Sequence, residues 1–406
     1  MSVISHWPAL GRLVALVVGL GLELGPALAQ LPTAGRAAAT TTAETTAKTT
    51  AKTTAQAPAD ALGLQALATA HQICAVSVAT LLHGLIDQVH SATGCAGSPL
   101  PDGQTVFQAA SLGKPVFAFA VLQLAAQGRI DLDAPLLRYL PQGYVHLQNP
   151  FASRQAPRTD RVTAPELAAV TARQVLSHSS GLPNWSNQAL RFDFAPGTGW
   201  LYSGEGFVLL QRAVEAITGL GLEALMQAQV FGPLGMRHSS YVWQRPVPAG
   251  ALPATSAPAD GQAAGQTQLA LDAPIAAATL LTSAADYARF MAALLADPAL
   301  LALTLHTPVA VDLPLHLRWG LGWGIEGGGD AAMLWHWGSN PGYRAFVMLS
   351  ATSGDGLVMF SNSDRGLALA APLVQAVLPG AHPVFESDLL PGRWRQGLCK
   401  ALGWCF

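Results

Sequence analysis

Apolar positions along the chain gather into a few dense runs separated by polar, Pro- and Gly-rich stretches. Residues 73–82, Ile-Cys-Ala-Val-Ser-Val-Ala-Thr-Leu-Leu, are β-branched and apolar and stop at Gly84, which predicts a strand buried on both faces, followed by a hairpin or a sheet edge. Val106 and Phe107 lead into Ser111, and residues 116–127 are then apolar almost all round up to Gly128, the pattern of a buried central helix. Pro115 is tolerated only in the first turn of that helix, which places Ser111 at its N-terminus. From 134 to about 275, helical patterns are broken by Pro- and Gly-rich loops such as 148–162 and 245–265, and no strand dominates. A helix over Ala284–Leu295, strand-like runs at 333–337, Tyr343–Ser350 and Gly356–Ser361, and a last helix over 367–378 complete the pattern. The sheet is therefore expected to draw strands from both ends of the chain around an inserted, mostly helical subdomain at about 134–275.

The termini read differently. Arg12 precedes an apolar stretch over 13–22 and then Ala27-Leu28-Ala29, so residues 1–29 are expected to be a secretory signal peptide cleaved before Gln30. An apolar stretch of about ten residues is too short to span a bilayer, and no transmembrane segment is expected in the mature protein. Residues 30–58 carry the repeat TTAE, TTAK, TTAK, TTAQ over 41–56, which offers nothing to bury and reads as a disordered tether or as drifted filler. The folded domain is placed at 59–395 and a tail at 396–406.

Half of the 406 residues are apolar and 11% are charged, enough to bury a large core. The 22 Lys plus Arg against 24 Asp plus Glu, with no long basic run, argue against a nucleic-acid partner. In the periplasmic or secreted location that the leader implies, cysteines oxidise, and the local pairs Cys74–Cys95 and Cys399–Cys405 are favoured; their spacings are not a zinc pattern.

Candidate chemistry begins with one residue type. Lysine occurs only at 48, 52, 114 and 400, against 18 arginines, so Lys114 alone lies inside the fold. A buried lysine can lose its proton, whereas arginine cannot. Ser111 lies three residues earlier, and i,i+3 side chains share a helix face, so hydroxyl and amine can touch as nucleophile and base. The same residues also fit a helix start with a snorkelling lysine. No Gly-x-Ser-x-Gly elbow and no His-Glu-x-x-His occurs, Gly219-x-Gly221-x-x-Ala224 reads as a helix-stop turn, and neither metal nor cofactor is expected.

Ser111-Leu-Gly-Lys114, Leu176-Ser-His178-Ser-Ser180-Gly181-Leu-Pro183, Pro196-Gly197 followed by Tyr202-Ser203, Phe231-Gly-Pro-Leu-Gly235-Met236 and His336-Trp337-Gly338 come in this order. The arrangement resembles the serine β-lactamase-like family, which includes class C β-lactamases, DD-peptidases and β-lactamase-like esterases, over roughly residues 65–380. The resemblance implies an antiparallel sheet flanked by helices with the helical subdomain inserted. It also implies an acyl-enzyme at Ser111, with Lys114 helping to remove its proton and Tyr202 as the phenol or phenolate that shuttles it to the leaving group. By this resemblance His336 supplies a donor or cation, and the backbone N–H of Ser339 joins that of Ser111 in an oxyanion hole. Without the family, Tyr202 and His336 read equally as core residues, although Tyr202 follows a Pro-Gly turn and precedes small residues, where a side chain can project into a cleft.

Two positions depart from class C enzymes. Gly204 stands where they carry an Asn, and Trp337 where they carry a Thr hydroxyl, so two polar contacts to a β-lactam are missing. Trp319, Trp323, Trp335 and Trp337 are expected mainly to pack under the sheet, with one or two free to line an acyl pocket. The substrate-contacting set is thus Trp337, Gly338, Ser339 and Gly204. The expected function is a secreted serine hydrolase of a small-molecule ester, amide or D-amino-acid peptide. A DD-peptidase or β-lactamase, and a catalytically silent module that senses cell-wall peptides, are the other readings.

Overall fold

The computed structural model describes residues 62–151, 158–242 and 273–391. The expected signal peptide, the tether, the 245–265 loop, Cys399, Cys405 and the tail lie outside them.

Gly63 caps the short helix α1 (Leu64–Ala70), and the chain then enters β1 (Val76–Leu82). His83 and Gly84 both have positive φ, 51° and 79°, and turn it tightly into β2 (Leu85–Ala92). Consecutive left-handed residues match the strand twist at a two-residue hairpin. The Cys74–Cys95 disulfide forms as expected and ties the start of β1 to the segment after β2, with Cα atoms 4.7 Å apart.

From β3 (Phe107–Ala110) the chain passes into helix α2 (Gly113–Ala126). Residues 113 to 122 of α2 are all buried, as a helix apolar on every face must be. The stretch that follows contains β4 (Val145–Leu147), β5 (Thr159–Arg161), α3 (Ala172–Leu176), α4 (Gly204–Thr218) and α5 (Leu222–Met226). The β4–β5 pair corrects the expected loop over 148–162. Its sequence, with Asp160 and Arg161, carries no apolar alternation; the pairing is held by contacts such as His146 Nδ1 to Asp160 Oδ1 at 2.8 Å.

β6 (Leu280–Thr282) returns to pair with β3, and α6 (Ala284–Leu295) and α7 (Pro298–Leu305) follow. Then come β7 (Val309–Asp312), β8 (Leu317–Trp319), β9 (Gly324–Glu326), β10 (Met333–Asn340), β11 (Tyr343–Ser350), β12 (Gly356–Ser361) and α8 (Ala370–Val377). Among the described residues the main sheet has eight strands, in the order β2-β1-β12-β11-β10-β9-β8-β7, and is antiparallel throughout. Strands from both ends of the chain therefore meet where β1 pairs with β12. Along β11, Ala345, Val347 and Leu349 join the core that contains α2 and α6, while Phe346 and Met348 join the core with α1 and α8. Burial on both faces is why these strands read as continuous apolar runs. Among the described residues no single helix is long and apolar enough to cross a membrane.

Candidate active site

The turn from β3 into α2 sets the geometry. A bulge between Gln108 and Ala110 interrupts the pairing with β6, and Ala110 takes the left-handed conformation at φ 51°, uncommon for a residue with a side chain. The chain is thereby redirected so that Ser111 faces a cleft while Lys114 points inward. Two buried hydroxyls fix the helix start: Tyr241 donates to the Gly113 carbonyl at 2.8 Å and Tyr287 to the Leu112 carbonyl at 3.1 Å.

Lys114 is fully buried, with Nζ 3.1 Å from Ser111 Oγ and 2.8 Å from the Ala277 carbonyl oxygen. Among the described residues it makes no hydrogen bond to a carboxylate; Nζ instead lies 4.7 Å from the centre of the Tyr202 ring and 5.7 Å from that of Phe207. Burial holds the amine well below its ordinary pKa of 10.5. Taking an ammonium out of water without a counter-charge favours the neutral form.

Tyr202 precedes Ser203, whose hydroxyl caps α4 by accepting from the Gly206 N–H. Its ring lies 5.0 Å from that of Trp337 at 30°. Of the phenol and phenolate that the resemblance implies, the phenolate is overturned. Burial pushes the phenol above 10, and the neighbouring Ser111 hydroxyl offsets only part of the rise. Tyr202 is thus a neutral phenol beside the Ser111 hydroxyl.

His336 is also corrected. It is fully buried, its Nδ1–H donates to the Trp337 carbonyl at 2.8 Å, and burial drives its pKa down to about 3. It is neutral, packs beneath Tyr202 and Trp337, and does not line the cleft. A lone histidine at a strand position carries no mark of burial in the sequence. Gly338 and Gly204 do not line the cleft either. A Cβ on Gly338 would collide with the Ala109 carbonyl, so this glycine lets β10 approach the residues leading to Ser111. At Gly204 the space a side chain would need is filled by Trp185.

Ser111, Tyr202, Trp337 and Ser339 do meet, along a cleft of about 970 Å³. Trp337 alone of the four tryptophans reaches it; Trp319, Trp323 and Trp335 are core. The remaining wall includes Phe151, Trp185, Phe194, Trp200 and Asn340, which the sequence did not single out. Asn340 donates to Gln108 Oε1 at 2.9 Å and lies at the end of β10, three residues past the apolar run that marked the strand. Ala277, whose carbonyl receives the Lys114 amine, left no signal at all. Among the described residues no cluster of His, Cys, Asp or Glu is arranged to hold a metal.

The family described as Beta-lactamase matches residues 65–379. Esterase EstB of Burkholderia gladioli is 33% identical over 181 residues, 37% of this chain and 42% of the relative. Penicillin-binding protein 4 of Amycolatopsis lactamdurans is 27% identical over 196 residues, 43% of this chain and 46% of the relative. The chain thus spans less than half the length of either curated relative. Among solved structures, a D-stereospecific amidohydrolase from Streptomyces superposes with a TM-score of 0.60 at 19% identity, covering 79% of this chain and 98% of that one. That likeness speaks for the shared fold. With a match that runs from α1 to the end of α8 and a serine and lysine joined at its central helix, the chain belongs to the beta-lactamase family.

Proposed function

We propose that the protein is a secreted serine hydrolase that cleaves small, uncharged esters through an acyl-enzyme at Ser111. The observation that carries this reading is the buried Lys114 amine, held toward its neutral form 3.1 Å from the Ser111 hydroxyl. A neutral amine has a lone pair that accepts the Ser111 proton as Oγ attacks the ester carbonyl. The tetrahedral oxyanion is received by the backbone N–H groups of Ser111 and Ser339. Tyr202, a neutral phenol, donates its proton to the departing alkoxide and is reprotonated from Lys114. Water then enters, gives up a proton by the reverse route and releases the acid, returning Ser111 to its starting state.

The cleft supports the substrate class. Its wall carries Phe151, Trp185, Phe194, Trp200 and Trp337 together with the carboxylates of Asp193 and Asp388, and among the described lining residues there is no Lys, Arg or His to hold a substrate carboxylate. Penicillins and peptides ending in D-alanine carry such a carboxylate; a small alkyl or aryl ester does not. Secretion rests on the leader at 1–29, and the Cys74–Cys95 disulfide suits an oxidising compartment. The test compares kcat/KM for short-chain p-nitrophenyl esters, nitrocefin and D-alanyl-D-alanine peptides. The esters are expected to turn over at least about tenfold faster. Faster cleavage of nitrocefin or of the peptides would reverse the assignment of substrate.

A further inference from the structure

His178 belongs to none of the steps above, yet it is built into the site. It is fully buried and adopts φ 57°, a left-handed conformation that side chains rarely take. Its main-chain carbonyl accepts the Leu201 N–H at 2.9 Å, and its Nδ1 accepts the Ser203 N–H at 3.0 Å. One residue therefore grips the backbone on both sides of Tyr202. Its ring also lies 4.4 Å from the Tyr202 ring at 36°, and 5.0 Å from Trp319, which supports both.

The Ser203 contact fixes the chemistry of the imidazole. A backbone N–H only donates, so Nδ1 must be unprotonated and the single ring proton sits on Nε2. That nitrogen is buried and has no partner among the described residues, an arrangement that costs stability unless it serves something else. Burial opposes protonation of the ring, which keeps Nδ1 an acceptor. The left-handed backbone carries the same message. In this conformation the carbonyl meets the Leu201 N–H and the ring meets the Ser203 N–H.

We propose that His178 is a positioning residue that aims the Tyr202 phenol at the leaving group by clamping the backbone of residues 201 and 203. The proposal rests on the proton-donating part assigned to Tyr202 above. It acts through orientation alone: no proton moves to or from His178 in the cycle. Displacing a proton donor by about 1 Å can cost two orders of magnitude in rate.

Two substitutions tolerate the positive φ and separate the side chain from the backbone strain. His178→Asn keeps an acceptor oxygen near the place of Nδ1, and His178→Gly removes it. His178→Gly is expected to lose about 100-fold in kcat for p-nitrophenyl acetate with KM within about threefold of wild type, and His178→Asn to stand at least tenfold above it. Combined with Tyr202→Phe, His178→Gly is expected to cost little more than Tyr202→Phe alone, because residues that act through one another are not additive. Melting curves confirm folding, and His178→Ala takes the place of His178→Gly if the glycine variant does not fold. Equal losses in the Asn and Gly variants, or losses that add to that of Tyr202→Phe, would overturn the proposal while leaving Tyr202 in its role. A fully active Tyr202→Phe would remove that role, and the positioning proposal with it.

Discussion

Lys114 is the residue on which sequence and structure converge most closely. Its isolation among arginines marked it, and the i,i+3 spacing to Ser111 is realised as a 3.1 Å contact. Its burial carries two opposite consequences. Below pH 10.5 the unfolded chain takes up a proton at this amine that the folded chain resists, so the buried lysine reduces stability, and the loss is recovered as pH rises toward 10.5. Lys114→Met should therefore melt about 2 °C or more above wild type at pH 7 while forming no acyl-enzyme. Lys114→Arg keeps a charge but cannot accept a proton, and acylation by p-nitrophenyl acetate should fall more than tenfold in a stopped-flow burst. A folded arginine variant acylating at near wild-type rate would move the base role to Tyr202. What single residues hid was their surroundings: burial of His336 and the raised pKa of Tyr202 depend on neighbours such as Trp319 and Trp337, which the linear order does not bring together.

At the scale of elements, long apolar segments were legible and short polar ones were not. Helix α6 falls over Ala284–Leu295 as expected, and the Ser283 hydroxyl caps it by accepting the Asp286 N–H. Strands β7, β8 and β9 had no visible signal, because each is three or four residues long and glycines at 320, 322 and 327 interrupt the pattern. β10 extends to Asn340 because its partner β11 continues the ladder through Gly338–Ala345 and Asn340–Tyr343, beyond the last large side chain. That extension matters for the site. Gly338 lets β10 lie against the Ala109 carbonyl, which brings Ser339 to the same cleft as Ser111. Gly338→Ala should push the two apart, lowering kcat for ester cleavage by about 100-fold and melting below wild type. Unchanged kcat in this variant would detach the β10 approach from oxyanion binding.

Over the whole molecule, the plan of a sheet built from both chain ends around a helical insert was readable from where the apolar runs fall, and the β1–β12 pairing realises it. The two-sided core, the β4–β5 hairpin and the aromatic cleft wall were not readable, since they arise from contacts between segments far apart in sequence. One such contact makes stability depend on pH. His382 lies 2.5 Å from the buried carboxylate of Glu326, and this bond holds its pKa above the ordinary 6.5. Its contribution is complete below pH 6.5 and is lost as pH rises through the elevated value. Wild type should therefore lose more of its melting temperature between pH 6 and 9 than His382→Gln does, by about 2–4 °C. The two curves running parallel would place the protonation elsewhere. The central claim is that Ser111, activated by a neutral Lys114, carries the acyl group. Intact-mass spectrometry of protein quenched during turnover of a p-nitrophenyl ester tests it most directly. A single acyl adduct that maps to Ser111, absent in Lys114→Arg, is the predicted result; an adduct at another serine, or hydrolysis without any adduct at Ser111, would contradict it.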